Sequence, residues 1–161
     1  MGAKTPTTRE AAERTTQRLE PWLGGVVAGL AGGIAMGILL LFLSPDALTT
    51  VIPALYGQQG AIAGWTIHLF NSAVLGLVFV ALITLTSLRK YADSERSMVG
   101  LGAIYGVVLW VVTGSFLLPL WLQAVGVPAA PAVPTFALPS LVWHLAYGVV
   151  LGAVYRSATS L

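Results

Sequence analysis

Four apolar stretches alternate with short connections along this chain, at about residues 22–43, 61–88, 98–122 and 139–158. A helix needs about 20 residues to cross the hydrocarbon core of a bilayer, and each stretch reaches that length. Most interruptions in the first three are Gly, Ser, Thr and similar small polar groups, which a helix tolerates in lipid. The fourth starts at Pro139, which suits the first turn of a helix because an N–H there has no intrahelical partner. The pattern predicts an all-α membrane protein with four transmembrane helices.

The apolar half is written twice. From His68 the chain reads His-Leu-Phe-Asn-Ser-Ala-Val-Leu-Gly-Leu-Val-Phe, and from His144 it reads His-Leu-Ala-Tyr-Gly-Val-Val-Leu-Gly-Ala-Val-Tyr. Six of the twelve positions are identical, and the two histidines are the only ones in the chain. The first spans of the two copies align more loosely, Gly25, Gly29 and Gly37 matching Gly102, Gly106 and Gly114. This predicts a tandem repeat of two helical hairpins, about 22–88 and 98–158. Each copy holds two spans, so both enter the membrane in the same sense, related by a pseudo-two-fold axis along the membrane normal.

Charge fixes the expected orientation. Lys4, Arg9, Arg14 and Arg18 precede the first span, Arg89, Lys90 and Arg96 separate the second and third, and Arg156 closes the fourth. The opposite connections, about 44–60 and 123–138, carry one charge, Asp46. By the positive-inside rule both termini and the central loop are expected to be cytoplasmic.

Composition agrees with the bilayer as solvent: 57% of residues are hydrophobic and 9% charged. A soluble domain carries about 25% charged residues. The net charge of +2 is explained by topology and gives no reason to invoke nucleic acid. With no cysteine, disulfides and thiolate chemistry are excluded.

Residues 1–21 form a polar arm, expected to be cytoplasmic, in which Thr7 and Thr8 are placed to cap a short helix running to about Leu19 before Pro21. The arm is too long and polar, and the following apolar run too extended, for a signal peptide. Residues 22–161 make the membrane domain. Its first outer connection holds an apolar segment, 47–56, expected to be a short interfacial helix. The second holds Pro128, Pro131 and Pro134 and is expected to be irregular but stiff. Both are expected to fold over the outer mouth of the bundle.

Small residues form stripes. Gly25, Gly29, Gly33 and Gly37 recur every four residues on the first helix, Gly102 and Gly106 on the third, and Gly148 and Gly152 on the fourth. Residues four apart share a face, and small ones let backbones approach. The first stripe has more glycines in register than one contact inside the chain requires, so a homo-oligomer through the Gly25/Gly29/Gly33/Gly37 face is expected. An alternative is that Gly29, Gly33, Gly106 and Gly148 clear space inside the bundle for a flat cofactor.

The histidines extend these stripes, His68 with Ser72 and Gly76, His144 with Gly148 and Gly152. Each imidazole belongs on the packed face of its helix, about 10 Å from the outer end. An ionisable group inside a membrane raises a functional hypothesis. Three readings stand open. Each histidine fixes helix register by bonding a carbonyl or hydroxyl, with Tyr56, Tyr105, Thr113, Ser115 and Tyr147 within reach of the pattern. Alternatively, His68 and His144 are axial ligands of one b-type haem, making this an electron-transfer protein. Or they serve a small transporter or proton-linked channel, with Asn71 and Asp46 continuing the polar path. Two histidines leave a zinc site short of ligands, so no metal site is assigned. No nucleophile elbow, phosphate loop or paired intramembrane carboxylate indicates an enzyme. Trp22, Trp65, Trp121 and Trp143 lie near span ends as interfacial anchors, and Trp110 lies mid-span as a packing residue.

The repeated His-Leu, Val-Leu-Gly and Val-Phe/Tyr pattern of 68–79 and 144–155, together with the glycine ladder, resembles that of small prokaryotic four-span membrane proteins of the YagU-like and YqhR-like kind. The likeness covers most of 22–158. It implies a polytopic inner-membrane protein and carries over no catalytic residue.

Overall fold

A computed structural model describes residues 19–128 and 130–159. The helix expected within the arm, from Thr7 to about Leu19, lies outside the described residues. Four long apolar helices make up the protein: α1 (Pro21–Leu43), α2 (Ala61–Leu85), α3 (Glu95–Ala124) and α4 (Leu138–Ala158). Each has the length and hydropathy to cross a membrane, and no strand is present among the described residues.

Helix boundaries follow local chemistry. Pro21 opens α1 and Pro139 lies in the first turn of α4, at positions where a backbone donor has no partner. Ser94 caps α3 by accepting from the Ser97 N–H at 3.1 Å. α2 stops at Leu85, three residues short of the apolar run, because Thr86 is extended and its hydroxyl accepts from the Leu88 N–H at 3.2 Å. Residues 87–91 then form a short, tighter turn.

The helices pack in the order α2–α1–α4–α3. α1 is central because it carries two stripes of small residues on adjacent faces. Gly25, Gly29, Gly33 and Gly37 meet Val80, Ser72, Gly76 and Trp65 of α2, whereas Gly24 and Gly32 meet Tyr155 and Tyr147 of α4. The second stripe, Gly24–Ala28–Gly32, is buried throughout and has the same four-residue period. The Gly25/Gly29/Gly33/Gly37 face considered for self-association meets α2 within the chain.

α3 and α4 close in the same manner. Gly102 lies against the Gly148 carbonyl and Gly152, and Gly106 against the carbonyl of His144. In the first hairpin Gly29 lies against the Ser72 carbonyl and Gly76. The contact counterpart of Gly29 is thus Gly102, one turn before the Gly106 that alignment of the two copies pairs with it. At each of these crossings a glycine Cα–H is aimed at a carbonyl oxygen, a contact worth about 0.5–1 kcal/mol. Lipid gives helices no hydrophobic reason to associate, so close packing of this kind must hold them.

α2 and α3 do not pack along their backbones. Side chains tie them instead. The Tyr105 hydroxyl donates to the Leu75 carbonyl at 2.8 Å, and the ring of Phe79 lies 5.3 Å from that of Tyr105. Tyr147 of α4 likewise donates to the Ser72 carbonyl at 2.8 Å. Phe79, Ile83, Met98, Tyr105, Leu151 and Tyr155 fill the half of the bundle toward the basic end. At that end the Leu19 N–H reaches the Ala158 carbonyl at 3.0 Å, and Arg156 donates to the Asp93 carbonyl at 3.2 Å. Arg89, Lys90, Arg96 and Arg156 are therefore gathered at one end of the molecule.

Candidate functional site

The opposite half of the bundle holds a half-open cleft. A cavity of about 510 Å³ lies among all four helices, and both histidines line it. The two connections at this end form its roof, the first through Ala47, Val51 and Tyr56, the second through Pro131, Thr135 and Ala137. Its wall is mostly apolar, with Met36, Leu40, Leu109, Leu117, Trp121 and Trp143 among the contributors.

Two prolines shape the roof by the same device. A proline inside a helix has no N–H for the carbonyl four residues earlier, and its ring pushes that carbonyl aside. Pro119 does this to Ser115, and Trp110–Leu117 widens into a π-helical stretch. The released Ser115 carbonyl accepts from the Thr135 N–H at 2.9 Å. Pro53 does the same to Thr49 after the wide turn Ala47–Val51, and that carbonyl accepts from the Gly60 N–H at 3.0 Å. The 47–56 segment expected as an interfacial helix is thus a wide turn followed by a short helical turn, folded over the cavity. Gln123 Nε2 donates to the Pro131 carbonyl at 2.7 Å and staples the second connection upon itself.

The histidines reach the cavity in different ways. His68 Nε2 bonds the Gly33 carbonyl at 2.9 Å, joining α2 to α1. His144 Nδ1 bonds the Ser140 carbonyl at 2.7 Å, one turn earlier on its own helix. Both partners are backbone carbonyls, and none of the side chains considered from the sequence is used. Carbonyl oxygens only accept, so each bond places a proton on the named nitrogen. In the neutral rings the other nitrogens, His68 Nδ1 and His144 Nε2, carry lone pairs. Neither is among the buried side-chain atoms sealed off without a partner, so both keep accessible surface.

Gly29, Gly33, Gly106 and Gly148 do not line the cavity; they sit in the helix crossings described above. The glycine that does line it is Gly114, where an added Cβ would lie 3.3 Å from His144 Cε1. Trp143 and Trp121 line the cavity wall, a role beyond interfacial anchoring. Trp110 donates its indole N–H to Ser140 Oγ at 2.9 Å and so pins α3 to the first turn of α4. No signal in the sequence distinguishes these roles, because each depends on which side of α3 the wide turn rotates toward α4.

Among the described residues no three His, Cys, Asp or Glu side chains gather as a metal site. Comparisons with protein families, curated proteins and solved structures find no match for this chain.

Proposed function

We propose that this chain is a multi-pass protein of the cell (inner) membrane, built by tandem duplication of a helical hairpin, with both termini cytoplasmic. Its proposed role is to bind a small apolar molecule in the outer half of the bundle. The observation that carries this reading is the cavity of about 510 Å³, lined by apolar side chains and by both histidines. An apolar chamber with a few convergent polar groups is the usual form of a small-molecule site.

The bilayer supports the ligand's character. No backbone packing closes the α2–α3 side. Val74 and Leu117 both line the cavity and are 42% and 48% exposed, respectively, on the lipid-facing surface. A molecule dissolved in the membrane has a short route between these helices. The buried core of Phe79, Tyr105, Leu151 and Tyr155 fills the basic half. This favours a blind chamber over a transporter or proton-linked channel.

The bis-His haem reading is less well supported. His68 Nε2, the nitrogen normally offered to iron, is bonded to Gly33, and no Lys or Arg lines the cavity to meet the propionates. A flat visible spectrum, oxidised and dithionite-reduced, after expression with ample haem is the expected result. A Soret band lost in both His68→Ala and His144→Ala would replace the present reading.

Calorimetric titration of purified protein with naphthalenemethanol tests the chamber. Saturable one-site binding is expected, lost in Gly114→Leu, which fills the cavity, and kept in Ile62→Ala, whose side chain is 87% exposed. Non-saturable uptake that is the same in all three proteins, as for simple partition into detergent, would remove the proposal.

A further inference from the structure

We infer that the ligand's polar end is a hydrogen-bond donor, a hydroxyl or amine on an apolar body, and that it docks on His144 Nε2. This rests on the chamber reading and specifies its substrate class.

Donors near His144 are already engaged. The proton of His144 is held on Nδ1 by the Ser140 carbonyl at 2.7 Å, which leaves Nε2 as an acceptor. Nε2 lies beside Gly114 on the cavity wall, 3.5 Å from where a Cβ on that glycine would stand. The hydroxyls nearby have already given their protons to the backbone. Ser72 donates to the His68 carbonyl at 2.7 Å, Thr113 to Leu109 at 2.6 Å, Ser140 to Ala137 at 2.7 Å and Tyr147 to Ser72 at 2.8 Å. His68 spends its proton on Gly33. The histidine end of the cavity therefore offers lone pairs. The remaining donors on the wall are Ser44 Oγ, the Asn71 amide and the indoles of Trp121 and Trp143.

A carbonyl or ether brought to His144 Nε2 would set one acceptor against another, whereas a hydroxyl or amine completes a bond. Anions are disfavoured further. No Lys or Arg lines the cavity, and the one charge in the two roof connections is Asp46, an exposed carboxylate beside the lining residue Ala47. An organic ammonium would be drawn to that end, and the rings of Tyr56, Trp121 and Trp143 suit its apolar body.

Four probes with one naphthalene body test the class: naphthalenemethanol, naphthylmethylamine, methoxymethylnaphthalene and naphthoic acid. The alcohol and the amine are expected to bind about five- to tenfold more tightly than the ether, the factor one hydrogen bond supplies. The acid is expected to bind weakest. The ratio of amine to alcohol tells whether charge adds to donation. In His144→Phe the alcohol and the ether should converge. Nitrogen NMR of isotope-labelled histidine in unmodified protein needs no variant. With two histidines in the chain, His144 should appear protonated on Nδ1 and bare on Nε2. Ether or acid binding as tightly as the alcohol, or a proton found on His144 Nε2, would overturn the donor assignment while leaving the chamber intact. Failure of all four probes to saturate would overturn the chamber itself.

Discussion

Thr135 donates its backbone N–H to the Ser115 carbonyl at 2.9 Å, and Pro119 is the reason that oxygen is free. A loop residue thus replaces the helical partner that proline cannot be. In a bilayer an unpaired carbonyl costs more than in water, so the exchange both satisfies α3 and fastens the second connection over the cavity.

Replacing Pro119 with Ala returns an N–H to the helix, which then competes with Thr135 for Ser115. Hydrogen exchange at the Thr135 amide should become about two- to tenfold faster, the range set by a bond of about 0.5–1.5 kcal/mol. An unchanged rate would mean that the roof is held by its other contacts.

The glycine crossings make a paired test. At Gly148 an added Cβ would meet the backbone of Gly102 and Gly106, whereas at Gly100 it would meet open space. Gly148→Ala should lower stability by about 1–3 kcal/mol, the cost of overpacking a tight contact. Gly100→Ala should leave it level or slightly higher, since Ala favours helix over Gly. Reversible unfolding of both in detergent decides, and equal effects would contradict the close approach of α3 and α4.

The histidines should differ in their effect on folding. His68→Leu removes a bond between helices and should cost about 0.6–2 kcal/mol, the span measured for polar contacts inside membranes. His144→Leu removes a bond within one helix and should cost less. The reverse order, measured by the same unfolding method, would show that His144 carries interhelical strength that its bond to Ser140 does not supply.

Orientation can be read directly because the chain has no cysteine. Thr50 and Ser94 lie exposed at opposite ends of the bundle. An impermeant thiol reagent applied to intact cells should label Thr50→Cys and leave Ser94→Cys unlabelled until the cells are opened. Labelling in the opposite sense would invert the topology.

The four helices were legible because span length and apolar content are properties of contiguous sequence. The glycine stripe facing α2 was legible for the same reason, since its period of four can be counted. The second stripe, Gly24–Ala28–Gly32, has the same period, but it is shorter and broken by an alanine, so the four-glycine ladder beside it masks it. The sequence supplied candidates for what each glycine meets without choosing among them. Gly33 meets Ser72 across a helix crossing, while Gly114 borders the cavity, because wide turns and crossing angles decide which face turns inward. The wide turn before Pro119 shifts the phase of α3 relative to a regular helix, so face assignments beyond Leu109 drift. The donor inventory at His144 depends on bonds to backbone carbonyls, and those carry no sequence signature at all.

The packing order α2–α1–α4–α3 has a consequence for how the chain is made. Each hairpin joins neighbours in sequence, so the first can settle as soon as α2 leaves the ribosome, and the second can do so independently. The seam between α1 and α4, with the Tyr147–Ser72 bond beside it, waits until α4 is made. Until then the Gly24–Ala28–Gly32 strip of α1 faces lipid, and it is covered when Tyr147 and Tyr155 of α4 arrive. α1 precedes the other three helices along the chain yet is the last of the four to be enclosed, so arrival of α4, rather than insertion of α1, completes the bundle.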